Sequence, residues 1–87
     1  MTFEFDETKS SSNKSKHGID FVEAQRIWRD PDRLELAAWS IDEPRRQVIG
    51  SIGPTVWSAF VTYRDERIRI ISVRRARPEE EGRYLAL

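Results

Sequence analysis

Between Gln47 and Val73 the chain passes through three stretches rich in valine, isoleucine and aromatic residues, separated only by Gly53-Pro54 and Asp65-Glu66. Breakers that short leave no room for a crossover, so neighbouring stretches must pair side by side as an antiparallel meander. The flanking pieces have to fit around it. Phe3-Glu4-Phe5 alternates like a half-buried strand. Asp6 can cap a helix running to about Lys16, with Glu7 in its first turn, Lys14 and Lys16 in its last, and Gly18 as its stop. The run Ser10-Ser11-Ser12-Asn13 inside that span equally suits a polar loop, because such side chains compete for backbone hydrogen bonds.

Asp20 and Glu23 have the spacing of a capping box, and Phe21, Ala24, Ile27 and Trp28 share one face of the helix that follows. Asp30-Pro31 ends it, since a proline ring disfavours helical geometry in the residue before it. Leu34 to Trp39 reads as a strand, with a polar turn around Asp42-Glu43-Pro44. Pro78 suits the first position of a terminal helix opened by Glu79, Glu80 and Glu81, which Gly82 keeps short or frayed. Tyr84, Leu85 and Leu87 are expected to pack back on the sheet. The expected fold class is therefore α+β. One small antiparallel sheet of roughly three to five strands carries two N-terminal helices and a short C-terminal helix, in a single domain over residues 1–87.

A chain of 87 residues buries only about two-thirds of the surface that its unfolded form exposes, so a binding site must be a surface patch or shallow cleft. The absence of cysteine excludes disulfides, thiolate zinc sites and cysteine nucleophiles, and suits a reducing cytoplasm. No apolar run approaches the roughly 18 residues of a membrane span, and the first residues have neither the basic head nor the apolar stretch of a secretory signal. The expectation is a soluble, cytoplasmic protein.

The 15 basic and 15 acidic side chains cancel, which argues against bulk attraction to nucleic acid. The distribution is uneven, however. Between residues 64 and 77, Arg64, Arg67, Arg69, Arg74, Arg75 and Arg77 face only Asp65 and Glu66, a local balance of +4. Guanidinium groups grip phosphate with paired hydrogen bonds, although charge on an exposed strand also serves solubility alone. Strict alternation along Arg67 to Val73 would leave neither strand face uniformly apolar. A bulge near Ile70-Ile71 would realign the strand and let Arg69 and Arg74 approach one anion. Tyr63 should lie near them across the Asp65-Glu66 turn, either to contact a nucleotide or as a cross-strand pair.

His17 is the single histidine and the one side chain that ordinarily titrates near neutrality. Beside Lys16 and Gly18 it can shuttle protons, or simply satisfy carbonyls at a helix end. Glu43, Arg45 and Arg46 form a second charged group, by default a turn-closing ion pair. Trp39 and Trp57 are expected to be core or interface aromatics. No P-loop, dinucleotide fingerprint, nucleophile elbow or zinc-protease helix is present, so no cofactor or metal is expected.

Taken in order, Phe3-Glu4-Phe5-Asp6, Asn13, Lys16-His17-Gly18, Phe21-x-Glu23-Ala24, Asp30-Pro31, Glu43-x-Arg45 and Ile49-Gly50 resemble the BrnT toxins of bacterial type II toxin–antitoxin systems. The resemblance continues through Val61-Thr62-Tyr63, Arg69-Ile70-Ile71-Ser72 with Arg74, and Glu80 with Arg83-Tyr84, and so spans nearly the whole chain. It implies a RelE-like fold and a metal-independent ribonuclease that inhibits translation. It also implies a hetero-oligomer with a BrnA-like antitoxin, a DNA-binding protein of ribbon-helix-helix type.

On this reading His17 transfers a proton, Arg69 and Arg74 hold the phosphate, and Lys16, Arg45 and Tyr63 position RNA, which is met free or on the ribosome. The chain departs from the family at Trp39-Ser40, where members often carry a histidine, and at Arg77, where a threonine is usual. The alternative is an inactive homologue that acts as a binding module or corepressor with its antitoxin.

Overall fold

The computed structural model describes residues 2–39, 41 and 44–86. The order of elements is β1 (Thr2–Glu4), α1 (Glu7–His17), α2 (Phe21–Ala24) tightening into a 3₁₀ turn (Gln25–Arg29), β2 (Leu34–Ala38), β3 (Arg45–Ile52), β4 (Thr55–Arg64), β5 (Arg67–Arg75) and α3 (Pro78–Leu85). The turn expected at Asp42-Glu43-Pro44, any pairing of Glu43 and the packing of Leu87 fall on or depend on residues outside those described.

The strands form one five-stranded sheet in the order β1-β5-β4-β3-β2. The meander β2 to β5 is antiparallel throughout. The expectation of a wholly antiparallel sheet is corrected at one edge, because β1 runs parallel to β5, from Thr2 opposite Arg67 to Glu4 opposite Arg69. The two-residue connection at Asp65-Glu66 puts both residues in the left-handed region (φ 51° and 65°), which matches the twist of the paired strands.

Local signals account for the helices. The Lys9 N–H donates to Asp6 Oδ1 at 2.9 Å, and Gly18 (φ 78°) closes α1 in the left-handed conformation. The Asp20/Glu23 capping box forms in both directions, at 2.7 and 3.0 Å. Phe21, Ala24 and Ile27 are then fully buried against Val48, Ala59, Val61, Ile68, Ile70 and Val73. Burial of a side chain such as Phe21 or Ile27 stabilises the fold by roughly 1.5–3 kcal/mol. Phe3 meets Trp28 edge-on at 5.0 Å, which ties β1 to this core. At Gly50 a Cβ would stand 2.9 Å from Ile27 Cγ2, so the sheet and the 3₁₀ turn approach as closely as they do only with glycine there.

The serine-asparagine run does form part of α1, and the same polar side chains attach the helix. Ser10 Oγ accepts from the Phe21 N–H at 2.9 Å. The Asn13 amide donates to the carbonyls of Ile19 (2.8 Å) and Val73 (2.9 Å), and its oxygen accepts from the Val73 N–H at 3.1 Å. β1 covers β5 only from Arg67 to Arg69, and at Val73 the Asn13 side chain supplies the pairing that a neighbouring strand would otherwise give.

α3 lies on the opposite face of the sheet and buries none of its residues fully. Two polar clasps hold it. Glu80 accepts two hydrogen bonds from Arg74 (2.7 and 2.9 Å) and one from the Gln47 amide (2.7 Å). The Tyr84 hydroxyl donates to Asp30, which also accepts from the Ser51 N–H at 2.9 Å and the Asp32 N–H at 2.8 Å. Gly82 does not interrupt the helix. Leu85 is exposed and does not pack on the sheet as expected, and Trp39 is 85% exposed rather than part of the core.

Candidate functional site

The arginine-rich strand is organised by an irregularity. Along β4 and β5, Phe60 stands opposite Ser72 but Val61 stands opposite Ile70, so Ile71 is an extra residue on β5. Ile68, Ile70 and Val73 can therefore all face the core, and the polar residues on either side of the bulge come into phase on the other face. Arg69 pairs with Thr62 and Arg74 with Ser58, both on the face turned away from α1 and α2. One step beyond the Arg46–Val61 pair in the same register, Arg45 stands beside Thr62 on that face.

A row across that face thus runs Arg45, Thr62, Arg69, Glu4. Thr62 is 2% exposed, and its hydroxyl has no hydrogen-bond partner. The Arg45 Nε is buried without a partner among the described residues as well. Among the described residues no ion pair engages Arg45 or Arg69, whereas Arg67 lies 3.6 Å from Glu4. Among the described residues, two cationic side chains with unspent donors therefore flank a buried hydroxyl that lacks an acceptor.

Arg74 shares the face in a different state. Its guanidinium is committed to Glu80 and sits 5.2 Å over the Phe60 ring. The paired bonds from Arg74 bring the Glu80 carboxyl down to about 2 against the opposing effect of burial, with help from the Arg77 N–H and the Gln47 amide. Glu80 in turn raises the pKa of Arg74.

His17 and Lys16 lie exposed in the last turn of α1. With Lys9, Ser12, Asn13, Ile71 and Ser72 they line a shallow depression of about 190 Å³ where α1 meets the margin of β5. Ser72 belongs to the arginine face, being paired with Phe60 and two residues from Arg74. Neither Arg69 nor Arg74 lines the depression.

Tyr63 points the other way. It pairs with Ile68 on the core side, and its hydroxyl donates to Glu35. Partial burial and the Glu35 carboxylate push the phenol up to about 12. The sheet separates it from Arg69 and Arg74. Of the residues singled out from sequence, Arg45, Arg69 and Arg74 share one face, His17 and Lys16 stand at its margin, and Tyr63 stands on the reverse.

Thr62 was named in the family resemblance but given no role. A threonine between Val61 and Tyr63 is ordinary strand composition, and the isolation of its hydroxyl depends on residues two strands apart. Glu80 was named in the family resemblance and as a favourable charge at a helix start, with no partner assigned to it. Among the described residues no three His, Asp or Glu side chains gather as metal ligands, and no helix is long and apolar enough to cross a membrane.

No curated protein matches the chain. The model of the family described as "Ribonuclease toxin, BrnT, of type II toxin-antitoxin system" matches residues 5–80, a span holding β2 to β5 and the whole Arg45, Thr62, Arg69, Arg74 and Glu80 group. The chain belongs to the BrnT family of ribonuclease toxins of type II toxin–antitoxin systems.

Proposed function

We propose that this protein is a metal-independent endoribonuclease of RelE-like fold that acts in the cytoplasm, arrests translation by cleaving RNA and is neutralised by a BrnA-like, ribbon-helix-helix antitoxin. The observation that carries the reading is the Ile71 bulge, which aligns Arg69 and Arg74 with Arg45 on the sheet face turned away from α1 and α2 in a member of a ribonuclease toxin family. In such a reaction the 2′-oxygen attacks the adjacent phosphorus and gives up its proton to a base. The bond to the 5′-oxygen breaks, that oxygen takes a proton, and a 2′,3′-cyclic phosphate remains.

His17 serves one of the two proton transfers from the β5 margin, with Lys16 holding RNA beside it. Arg69 stabilises the charge that grows on the phosphorane oxygens, and Arg45 orients the backbone. Arg74 joins the contact when a phosphate replaces the Glu80 carboxylate. Tyr63, on the other face, has no part.

Incubating the purified chain with single-stranded RNA in excess EDTA tests this. Cleavage is expected to persist, to fall by about 100-fold in His17→Ala and to stop on addition of a BrnA-like antitoxin. RNA left whole by the wild-type chain would instead favour a non-catalytic binding module, a reading supported by the neutralisation of Arg74 by Glu80.

A further inference from the structure

We infer that Arg45, Thr62 and Arg69 form a seat for a single phosphodiester, with Thr62 as a direct ligand: among the described residues, a buried hydroxyl without an acceptor stands between two arginines that have no ion-pair partner. The inference deepens the ribonuclease reading and rests on it for the identity of the ligand as RNA.

An unmet hydroxyl in a strand centre costs stability, and a valine of nearly the same shape would avoid that cost. Arg45 and Arg69 stand on the strands to either side, about 10 Å apart from backbone to backbone. That separation lets both side chains reach the two sides of one tetrahedral anion centred above Thr62. The anion has the acceptors that all three groups lack. The Thr62 O–H donates to one non-bridging oxygen, the Arg45 Nε–H gains a partner, and Arg69 grips the opposite oxygen. A phosphodiester is tetrahedral and turns its two non-bridging oxygens to different sides, so one anion can meet both guanidinium groups and the hydroxyl between them. Three donors arriving from three strands suit a phosphate.

The seat is tested by titrating the wild-type chain, Thr62→Val and Thr62→Ser with inorganic phosphate at low salt, followed by NMR at the residue 62 amide and the Arg45 Nε–H. A short single-stranded RNA is then titrated and its cleavage measured. Phosphate is expected to shift both resonances. Thr62→Val should weaken binding of both ligands by about tenfold, with an unchanged or higher melting temperature, and Thr62→Ser should restore binding.

The seat is overturned if phosphate moves neither resonance, or if Thr62→Val binds as well as wild type. A lower melting temperature with unaltered binding would make the hydroxyl structural and also end the proposal. The two readings fail separately. Phosphate bound through Thr62 with RNA left uncut keeps the seat and removes the nuclease, whereas RNA cut equally by wild type and Thr62→Val removes the seat alone.

Discussion

Arg69→Ala is expected to slow RNA cleavage by about 10²–10³-fold, the usual loss when one fixed donor to a developing oxyanion is removed. Its effect on stability should be small. Arg69 is half-buried, makes no ion pair among the described residues and contributes no apolar surface to the core cluster. Arg69→Lys keeps the charge but not the forked donors, so an intermediate rate is expected. Initial rates on an end-labelled RNA, taken with melting curves of the same samples, check both halves of this expectation. An Arg69→Ala protein that cuts at the wild-type rate would mean that the arginine face is not where the phosphate reacts.

Asp30→Ala should have the largest effect on folding, a loss of about 3–4 kcal/mol. Asp30 is buried and accepts hydrogen bonds from the Ser51 N–H and hydroxyl, the Asp32 N–H and the Tyr84 hydroxyl, so it joins the end of the 3₁₀ turn to β3 and α3. Alanine leaves these donors without an acceptor, at roughly 1–3 kcal/mol for each one that water does not reach. In a domain of this size the loss corresponds to a fall of about 15–25 °C in melting temperature.

The same carboxylate makes stability depend on pH. Burial by itself pushes Asp30 up, but the Tyr84 hydroxyl and the Ser51 and Asp32 donors together bring it down to about 2, and Glu80 also lies at about 2. A folded-state value below the unfolded one means that stability is gained as each group ionises. The contribution is complete above about pH 4–5 and is lost as pH falls through about 2. Urea midpoints between pH 2 and 7 should fall steeply toward acid in the wild type and less steeply in Asp30→Asn. Equal slopes would show that Asp30 does not supply this term.

Features within a few residues of one another were legible from the sequence. The Asp20/Glu23 box, the Gly18 stop and the Asp65-Glu66 hairpin each depend on local geometry. The bulge was legible as one solution, because strict alternation from Arg67 to Val73 leaves neither face uniformly apolar; that it places Ile68, Ile70 and Val73 together on the core side is shown by the fold. The parallel pairing of β1 was not legible, because three alternating residues carry no information about the direction of a partner near the other end of the chain. Arg74 was read as free to hold a phosphate, and its capture by Glu80 appears only once α3 folds over the sheet. The orphaned Thr62 hydroxyl emerges only when three strands stand side by side.

The chemistry itself is tested most directly by the ends left on the RNA. With the wild-type chain in excess EDTA, the account predicts 2′,3′-cyclic phosphate and 5′-hydroxyl termini, and no cut where the nucleotide on the 5′ side of the scissile bond carries a 2′-deoxy sugar. Cutting at that deoxy position, or products ending in 3′-hydroxyl and 5′-phosphate, would contradict it.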